Sequence, residues 1–384
     1  MKRRLSIQLP AFMLIRMVFN TTYRMVYPFL PIFSKALGVD ISMLSLTITA
    51  RSIIGAFGPF LGSLADRRGR KVGMLLGLSV YTVGVTLVVF FPTFIAFACA
   101  LVLTTLGKYI FDPAMQAYLG DRVPYERRGF ALAITEIGWS LSFIVGVPLS
   151  AFLIARFGWV SPFWMFLFFS GLMIGVISLI IRSDSRKANS QAGFIKNTRE
   201  IFRYLPAILG LSIGIFASAA NEVVNLVFGI WLEDSFGLKL LALGGASAVI
   251  GFAELGGESL VGVFTDRIGK VRSVGIGLIM NSLAAIVLIF LGKSISGALL
   301  GLFLFYITFE FTLVASIPMM TEIVPETRAT LMAFNVAALS LGRAIGASVA
   351  TPIYAFGLIA SVLAAVFFNI IAFVVSRLLV RYHV

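Results

Sequence analysis

Two stretches of the chain decide the fold: GSLADRRGRK at residues 62–71 and GVFTDRIGKV at residues 262–271. They align without gaps, so that Gly62, Asp66 and Gly69 each find the same residue type 200 positions later. Each copy is a charged turn between two apolar runs. The repetition of such a turn indicates that a unit of about half the chain has been duplicated.

Composition shows what kind of unit this is. The chain has 384 residues, of which 59% are hydrophobic and 12% are charged, and its mean hydropathy is +1.00. Soluble domains carry about 25% charged residues, so the sequence predicts a membrane protein. Crossing the hydrocarbon core takes about 20 apolar residues, and twelve such stretches are present. They are 9–33, 41–64, 73–91, 93–119, 130–155, 161–181, 206–232, 240–264, 273–291, 295–321, 329–353 and 357–377.

The distribution of positive charge predicts the orientation. Net charge is +14, and of the 31 Lys and Arg residues 22 fall in the two termini and every second connection. The opposite side holds four: Lys35, Arg156, Lys239 and Lys293. Short loops rich in Lys and Arg stay in the cytoplasm, which predicts a multi-pass protein of the cytoplasmic membrane with both termini inside. The charge is therefore an orientation signal, and no nucleic-acid partner is expected.

Residue types limit the chemistry. Arg16 and Arg24 interrupt the first apolar stretch, and no small-residue cleavage site follows, which favours a retained helix over a secretory signal. Cys99 is the only cysteine and His383 the only histidine. We therefore predict no disulfide, no metal site, no cofactor and no thiol or imidazole catalysis, and the chain is not expected to be an enzyme.

A second pair of similar stretches supports the duplication. DRVPYERRG at residues 121–129 matches EIVPETRA at residues 322–329 and places Arg128 opposite Arg328. Six spans per unit is an even number, so both units enter the membrane from the same side. We expect an all-α membrane protein of twelve transmembrane helices in two six-helix bundles, related by a pseudo-two-fold axis along the membrane normal. The expected divisions are 1–182 for the N-terminal bundle, 183–205 for a cytoplasmic linker and 206–384 for the C-terminal bundle.

These turns resemble the cytoplasmic signatures of the major facilitator superfamily. The resemblance covers the whole chain, and GSLADRRGRK is its most specific match. The stretch GWSLSFIVGVPLSAFLIARFGW at residues 138–159 resembles the efflux branch related to drug/proton antiporters and sugar exporters, although Ser150 stands where such sequences usually have glycine.

The resemblance implies that Asp66 faces the start of span 11 and that Arg70 pairs with Asp121, which closes the cytoplasmic side. The alternative is that these bases only determine topology. The 200-residue echo favours the gate. The gating residues predicted in this way are Gly62, Asp66, Arg67, Gly69, Arg70, Asp121, Glu126, Arg128, Asp266, Arg267, Gly269, Glu322 and Arg328.

Ionisable residues within the spans point to a polar interior. Each costs at least about 2.5 kcal/mol at mid-bilayer, so each must face protein or water. None lies in spans 3, 6, 9 or 12, which are therefore predicted to face lipid. At the 200-residue offset none of them meets another ionisable residue, which suggests an interior adapted to one cargo. They are Arg16, Arg24, Arg51, Lys108, Asp112, Glu136, Glu222, Glu254, Glu258, Glu310 and Arg343.

Several of these are candidates for coupling or binding. Burial of a carboxylate favours its protonated form, so Glu222, Glu310 and Asp112 are proton-coupling candidates, with permanent salt bridges as the alternative. Lys108 and Asp112 are spaced as an i,i+4 ion pair, and Arg16 is positioned to pair with Glu136 as an inner gate. The predicted substrate-binding residues are Arg24, Lys108, Asn225, Tyr27, Arg51 and Arg343, with neutralisation of interior acids as the alternative for the last two.

These observations favour a secondary active transporter that exports a small amphipathic or partly apolar molecule by proton antiport with rocker-switch alternating access. No GxxxxGK[ST] loop for a nucleotide is present. The expected partners are a small-molecule substrate, protons or sodium, and the lipid bilayer, with the chain as a monomer. The alternatives are a transporter or flippase of an amphipathic lipid or organic anion, a proton-coupled symporter, and a membrane scaffold or sensor.

Overall fold

The computed structural model describes residues 2–60, 69–123, 125–181 and 191–382, which form helices and connecting turns and contain no strand. A π-helical turn at Ser142–Gly146 joins α6 to α7, and a short 3-10 turn at Pro325–Thr327 precedes α14. The α-helices are α1 Lys2–Arg24, α2 Leu30–Leu37, α3 Ile41–Ala56, α4 Arg70–Phe90, α5 Phe94–Arg122, α6 Tyr125–Leu141, α7 Val147–Phe157, α8 Ser161–Ile180, α9 Gln191–Ile201, α10 Leu205–Phe236, α11 Leu240–Ile268, α12 Lys270–Leu291, α13 Ile295–Ile323, α14 Arg328–Tyr354 and α15 Leu358–Val380.

Ten helical segments in the described ranges are long and apolar enough to cross a membrane, or eleven if the bent pair α2 and α3 counts as one span. The ten coincide with predicted spans 3 to 12. The first two predicted spans fall on α1, α2 and α3. The helices at these positions are consistent with the predicted twelve-helix architecture, and the chain is a multi-pass membrane protein.

The first predicted span, 9–33, is divided in the structure between α1 and α2. Helix α1 ends at Arg24, five residues form a turn, and α2 begins at Leu30. Pro28 lies in that turn and cannot donate a backbone hydrogen bond, whereas Pro31 lies in the first turn of α2, where a missing N–H is tolerated. The regular helix is therefore interrupted between Arg24 and Leu30.

Proline also explains the irregular part of predicted span 5. The backbone N–H of Val147 bonds to the carbonyl of Ser142, which is π-helical spacing. The next residue, Pro148, has no N–H to offer. A π-helical turn absorbs this gap without ending the span, which leaves α6 and α7 as one crossing of 28 residues, Phe130–Phe157.

Contacts divide the chain into two units. The first comprises Met1–Asp40, Phe60–Ala188 and Leu240–Ala248. Within it α4 packs along α5 and α8, while α1 packs along α6 and the π turn. Its core is rich in aromatic residues, with Phe19 stacked on Tyr81 at 4.4 Å and edge-on to Phe111 at 5.3 Å.

The second unit comprises Ile41–Pro59, Asn189–Lys239 and Val249–Val384. Helix α10 packs along α14 and α15, α12 packs along α13 and α15, and α3 lies along α14. Ser45 on α3 and Thr351 on α14 share a hydrogen bond of 2.5 Å. Helix α3, from the N-terminal part of the sequence, is thus grouped by its contacts with helices of the C-terminal part.

Two buried amides join three helices of the second unit. Asn369 on α15 donates from Nδ2 to Oδ1 of Asn281 on α12 at 2.7 Å. Asn281 in turn donates to the backbone carbonyl of Phe305 on α13 at 2.7 Å and to Thr308 Oγ1 at 3.1 Å. Both asparagines are at most 2% exposed. We call Asn281 and Asn369 the amide clamp.

Candidate functional site

The repeated turns keep one backbone conformation in both halves. Gly69 has φ 94° and ψ 152°, and Gly269 has φ 92° and ψ 142°. Positive φ strains residues with a Cβ, which explains why glycine stands at both positions. Gly62, Asp66 and Arg67 lie outside the described residues, as do the side chains of Glu126, Arg128 and Asp266.

An ion pair follows each of these glycines. Arg70, the first residue of α4, lies 3.6 Å from Asp121 on α5, measured from Nε to Oδ2, which confirms the predicted pair. Lys270, the first residue of α12, pairs with Glu322 on α13. A base at a helix N-terminus is disfavoured by the helix dipole, and a carboxylate from the neighbouring helix offsets this. The predicted gating role of these residues stays a prediction.

The other described gating residues lie at the ends of helices in the second unit. Arg328, the first residue of α14, donates from Nε to the carbonyl of Thr321 at 2.9 Å and so ties α14 to the end of α13. Arg267 is exposed in the last turn of α11.

Four interior charges of the first unit form one network. Lys108 Nζ lies 2.6 Å from Asp112 Oδ2, one turn along α5. Arg16 on α1 approaches the other oxygen of Asp112, with 3.6 Å between Nε and Oδ1, and its NH1 pairs with Glu136 on α6. Arg16 is thus bound by two carboxylates from two helices. The predicted pairs Lys108 with Asp112 and Arg16 with Glu136 are both confirmed.

Exposure within this network is uneven. The side chains of Arg16, Lys108 and Asp112 are at most 15% exposed, whereas that of Glu136 is 45% exposed. Asp112 thus lies within ion-pair distance of two bases, Arg16 and Lys108. Its predicted role in proton coupling stays a prediction.

Arg24 is held by aromatic rings. Its guanidinium carbon lies 3.5 Å from the ring centre of Phe143 and 4.2 Å from that of Trp139. Its NH1 donates to the backbone carbonyl of Trp139 at 3.1 Å, and the side chain is buried. Stacking on π faces stabilises a desolvated cation, so Arg24 fastens α1 to α6 and the π turn.

A hydrogen-bonded chain links Tyr306, Asn225 and Glu222 in the second unit. Tyr306 on α13 donates from its hydroxyl to Oδ1 of Asn225 on α10 at 2.7 Å. Asn225 donates from Nδ2 to Oε2 of Glu222, one turn earlier on α10, at 3.4 Å. Glu222 is 1% exposed and Asn225 is 8% exposed. The prediction that Glu222 and Asn225 share one face is confirmed, and the Asn225 amide donates to the carboxylate.

Two glycines bring neighbouring helices against the interior acids. A Cβ on Gly346 of α14 would lie 2.7 Å from Cβ of Glu222, and a Cβ on Gly257 of α11 would lie 2.8 Å from Cβ of Glu310. Real Cβ atoms do not approach so closely, so only glycine permits this packing. Glu222 and Glu310 are therefore both held at tight helix crossings.

The remaining predicted binding residues differ in accessibility. Tyr27 is buried and stands edge-on to Tyr23, with 6.4 Å between ring centres. Arg51 is fully buried on α3, and Arg343 is half-buried on α14.

The chain matches the family model of the Major Facilitator Superfamily over residues 12–253 and 210–383. The chain belongs to the major facilitator superfamily. This agrees with the resemblance carried by the repeated turns. Members of this superfamily are transporters, so the chain is a membrane transporter of a small-molecule substrate and not an enzyme.

Curated superfamily relatives cover most of the chain at modest identity. The "Uncharacterized MFS-type transporter YwfA" of Bacillus subtilis is 27% identical over 362 residues, which is 91% of this chain and 86% of YwfA. "Multidrug resistance protein MdtG" of Serratia proteamaculans is 26% identical over 288 residues, 71% of this chain and 68% of MdtG.

Solved structures of the superfamily share the fold. A bacterial homologue of the human lysosomal transporter Spinster has a TM-score of 0.77 at 18% identity, covering 98% of this chain and 97% of that chain. The peptide transporter POT has a TM-score of 0.79 at 14% identity, with coverage of 97% and 95%. Identities this low show the fold alone.

Sequence reasoning missed four contacts in this superfamily member. Tyr306 stands one turn before Glu310 on α13, and that spacing was the signal that could have identified it. Trp139 and Phe143 lie four residues apart, but nothing in the sequence indicates that they enclose Arg24. The contact between Arg16 and Asp112 joins α1 to α5, which depends on how those helices are rotated about their axes.

Proposed function

We propose that this chain is a secondary active transporter that exports a small amphipathic or partly apolar molecule in exchange for protons. It acts as a monomer in the cytoplasmic membrane, with both termini in the cytoplasm, as the excess of Lys and Arg on one side favours. Rocking of two six-helix bundles exposes the binding site to each side in turn.

The observation that carries the proposal is the chain from Tyr306 through Asn225 to Glu222. A carboxylate that is 1% exposed sits in a low-dielectric setting where gain or loss of a proton changes the local energy strongly. The Asn225 amide donates a hydrogen bond of 3.4 Å to this carboxylate. Protonation of Glu222 thus supplies a reversible difference between two states of the transporter, with Glu310 as the second candidate.

The contacts of the interior bases Arg24 and Lys108 bear on the class of cargo. The guanidinium of Arg24 lies over the rings of Trp139 and Phe143, and Lys108 pairs with Asp112. Bases already bound within the chain are poorly placed to hold an anion. We therefore favour neutral or cationic amphipathic cargo over an anionic lipid or organic anion. Curated relatives named as multidrug resistance proteins support the same choice.

Two ion pairs at helix ends support a role in gating. Arg70 with Asp121 and Lys270 with Glu322 stand at equivalent places in the duplicated sequence. We assign both pairs to closure of the cytoplasmic side, where they form and break as the site alternates. Arg16 with Glu136 is assigned to the same closure within the first unit.

The test is transport by purified protein in liposomes with an imposed pH gradient. The panel contains amphipathic cations, sugars and lysolipids, and a sodium gradient replaces the pH gradient in a parallel series. Proton-driven accumulation is expected for the wild type and lost in Glu222→Gln, while cargo exchange without a gradient partly survives. Asp234→Asn, an exposed acid on the same helix, is the matched control and is expected to retain accumulation. Unchanged accumulation in Glu222→Gln would contradict the proposal.

A further inference from the structure

Helix α9 and the turn after it form a surface that transport does not explain. The segment Lys196–Leu205 reads KNTREIFRYL and carries three bases against one acid. We call Lys196, Arg199, Arg203 and Tyr204, all exposed, the basic surface. We propose that this surface binds the anionic headgroups of phospholipids in the cytoplasmic leaflet.

One face of α9 packs against the core of the second unit. Ile201 is fully buried in the core of the second unit, and Asn197 Nδ2 lies 3.5 Å from Thr330 Oγ1 on α14. Phe202, just after α9, stands edge-on to Phe334 of α14 with 5.1 Å between ring centres. These contacts fix the rotation of α9 about its axis.

The opposite face is therefore available to a partner. Asn197 and Ile201 are one turn apart on the packed face, and at 100° per residue Lys196 and Arg199 point away from it. The side chain of Lys196 is 77% exposed. Its i,i+4 partner Glu200, 3.9 Å away, is 52% exposed, and such exposed pairs are weak. An anionic group thus meets a surface with a positive excess.

Position relative to the membrane selects the lipid over a soluble acidic protein. The membrane-crossing helix α10 begins at Leu205, directly after Tyr204, and its first exposed side chains are apolar, with Leu205 at 46% and Ile208 at 36%. Arg203 and Tyr204 thus lie within about one helical turn of the hydrocarbon edge. Aromatic and basic side chains at this depth contact the headgroup and acyl boundary together.

The structure also shows what the lipid would stabilise. Lipid headgroups bound to α9 would restrain the segment in which Ile201 is part of the core of the second unit and Phe202 contacts Phe334 of α14. The lipid would therefore act as a tether between the linker and the second unit. This inference does not depend on proton antiport.

The experiment measures lipid retention by the full chain in native mass spectrometry, with titration of phosphatidylglycerol or phosphatidylcholine into detergent. The variant Lys196→Gln/Arg199→Gln/Arg203→Gln removes the charges of the basic surface. The matched control Arg272→Gln/Arg377→Gln/Arg381→Gln removes three exposed charges elsewhere in the same unit. Each interfacial base contributes about a fivefold factor to anionic-lipid binding. We expect roughly a 100-fold loss of phosphatidylglycerol affinity at the tightest site in the first variant and retention of that site in the control.

Three outcomes would overturn the proposal. Equal loss in the control would mean that net charge alone attracts the lipid. Equal binding of the two lipids by the wild type would remove the role of headgroup charge. Displacement of phosphatidylglycerol by an equal concentration of soluble glycerol phosphate would show that the apolar boundary is not involved. If the triple variant does not fold, a spin label is attached at Tyr204→Cys in a Cys99→Ala background and the protein is placed in liposomes. The label must then collide more often with oxygen, which dissolves in the bilayer, than with a water-soluble nickel reagent.

Discussion

The network around Arg16 leads to a quantitative prediction for the pair formed by Lys108 and Asp112. In Lys108→Gln the carboxylate of Asp112 keeps only Arg16, whose Nε is 3.6 Å away. Removing one partner of a buried ion pair costs about 3–5 kcal/mol, and the remaining base places this case near the lower end, about 3 kcal/mol. At about 2–4 °C per kcal/mol for a unit of this size, the expected fall in Tm is about 6–12 °C.

A double variant measures the interaction energy between Lys108 and Asp112 separately from the contribution of each side chain. Lys108→Gln/Asp112→Asn removes one charge of each sign and leaves Arg16 with Glu136, so it is expected to cost less than Lys108→Gln alone. The coupling energy of the cycle is expected to be about 2 kcal/mol, within the range for residues in contact.

The assay is thermal unfolding of the purified protein in detergent, followed by intrinsic fluorescence. The control is Lys196→Gln, which breaks an i,i+4 pair of the same spacing in an exposed position and is expected to leave Tm unchanged. A double variant as unstable as the sum of its single variants would refute the reasoning. So would a Lys108→Gln protein with the Tm of the wild type.

Three further predictions concern the second unit and Arg24. Tyr306→Phe removes the hydroxyl that donates to Oδ1 of Asn225 at 2.7 Å in a buried site. The free energy of unfolding, measured by thermal unfolding, is expected to fall by about 1–3 kcal/mol. Proton-driven uptake is expected to fall less than in Glu222→Gln. Gly346→Ala places a Cβ 2.7 Å from that of Glu222, so overpacking of about 1–3 kcal/mol is expected to lower Tm. Arg24→Lys loses the planar stack on two rings, and a fall of about 1–2 kcal/mol in stability is expected.

Each of these has a contrary outcome. A Tyr306→Phe protein with wild-type stability and uptake would mean that its hydroxyl does not orient Asn225. Wild-type Tm in Gly346→Ala would show that α10 and α14 separate at little cost. If Arg24→Lys is as stable as the wild type, the positive charge and not the planar guanidinium accounts for the contribution of Arg24 to stability. Arg24→Gln then measures the contribution of the charge.

The polar turns and two of the interior pairs were predictable from the sequence. A charged turn within an apolar chain is conspicuous, and the 200-residue offset identified Gly69 and Gly269 as equivalent. Spacing alone indicated Lys108 with Asp112, and similar depth in the membrane indicated Arg16 with Glu136. These inferences need only the rise per residue of a helix.

Rotation of helices about their axes was not predictable in the same way. Depth places Arg24 near mid-membrane, but a single sequence does not say that Trp139 and Phe143 will enclose it. The bond from Tyr306 to Asn225 joins α13 to α10 across 81 positions of sequence, and it depends on the packing register of both helices. Pro28 and Pro31 lie within the first predicted span, but the structure alone shows that the helix is interrupted between Arg24 and Leu30.

The amide clamp has a consequence for how this chain is made. Asn369 lies 88 positions after Asn281 in the sequence, so α12 is synthesised before the donor that reaches Oδ1 of Asn281. Hydrocarbon offers no water to replace that donor, and interhelical hydrogen bonds of this kind contribute about 1 kcal/mol. A chain truncated before residue 369 would therefore lack an interhelical hydrogen bond to α12, and the second unit is expected to be less stable by about that amount.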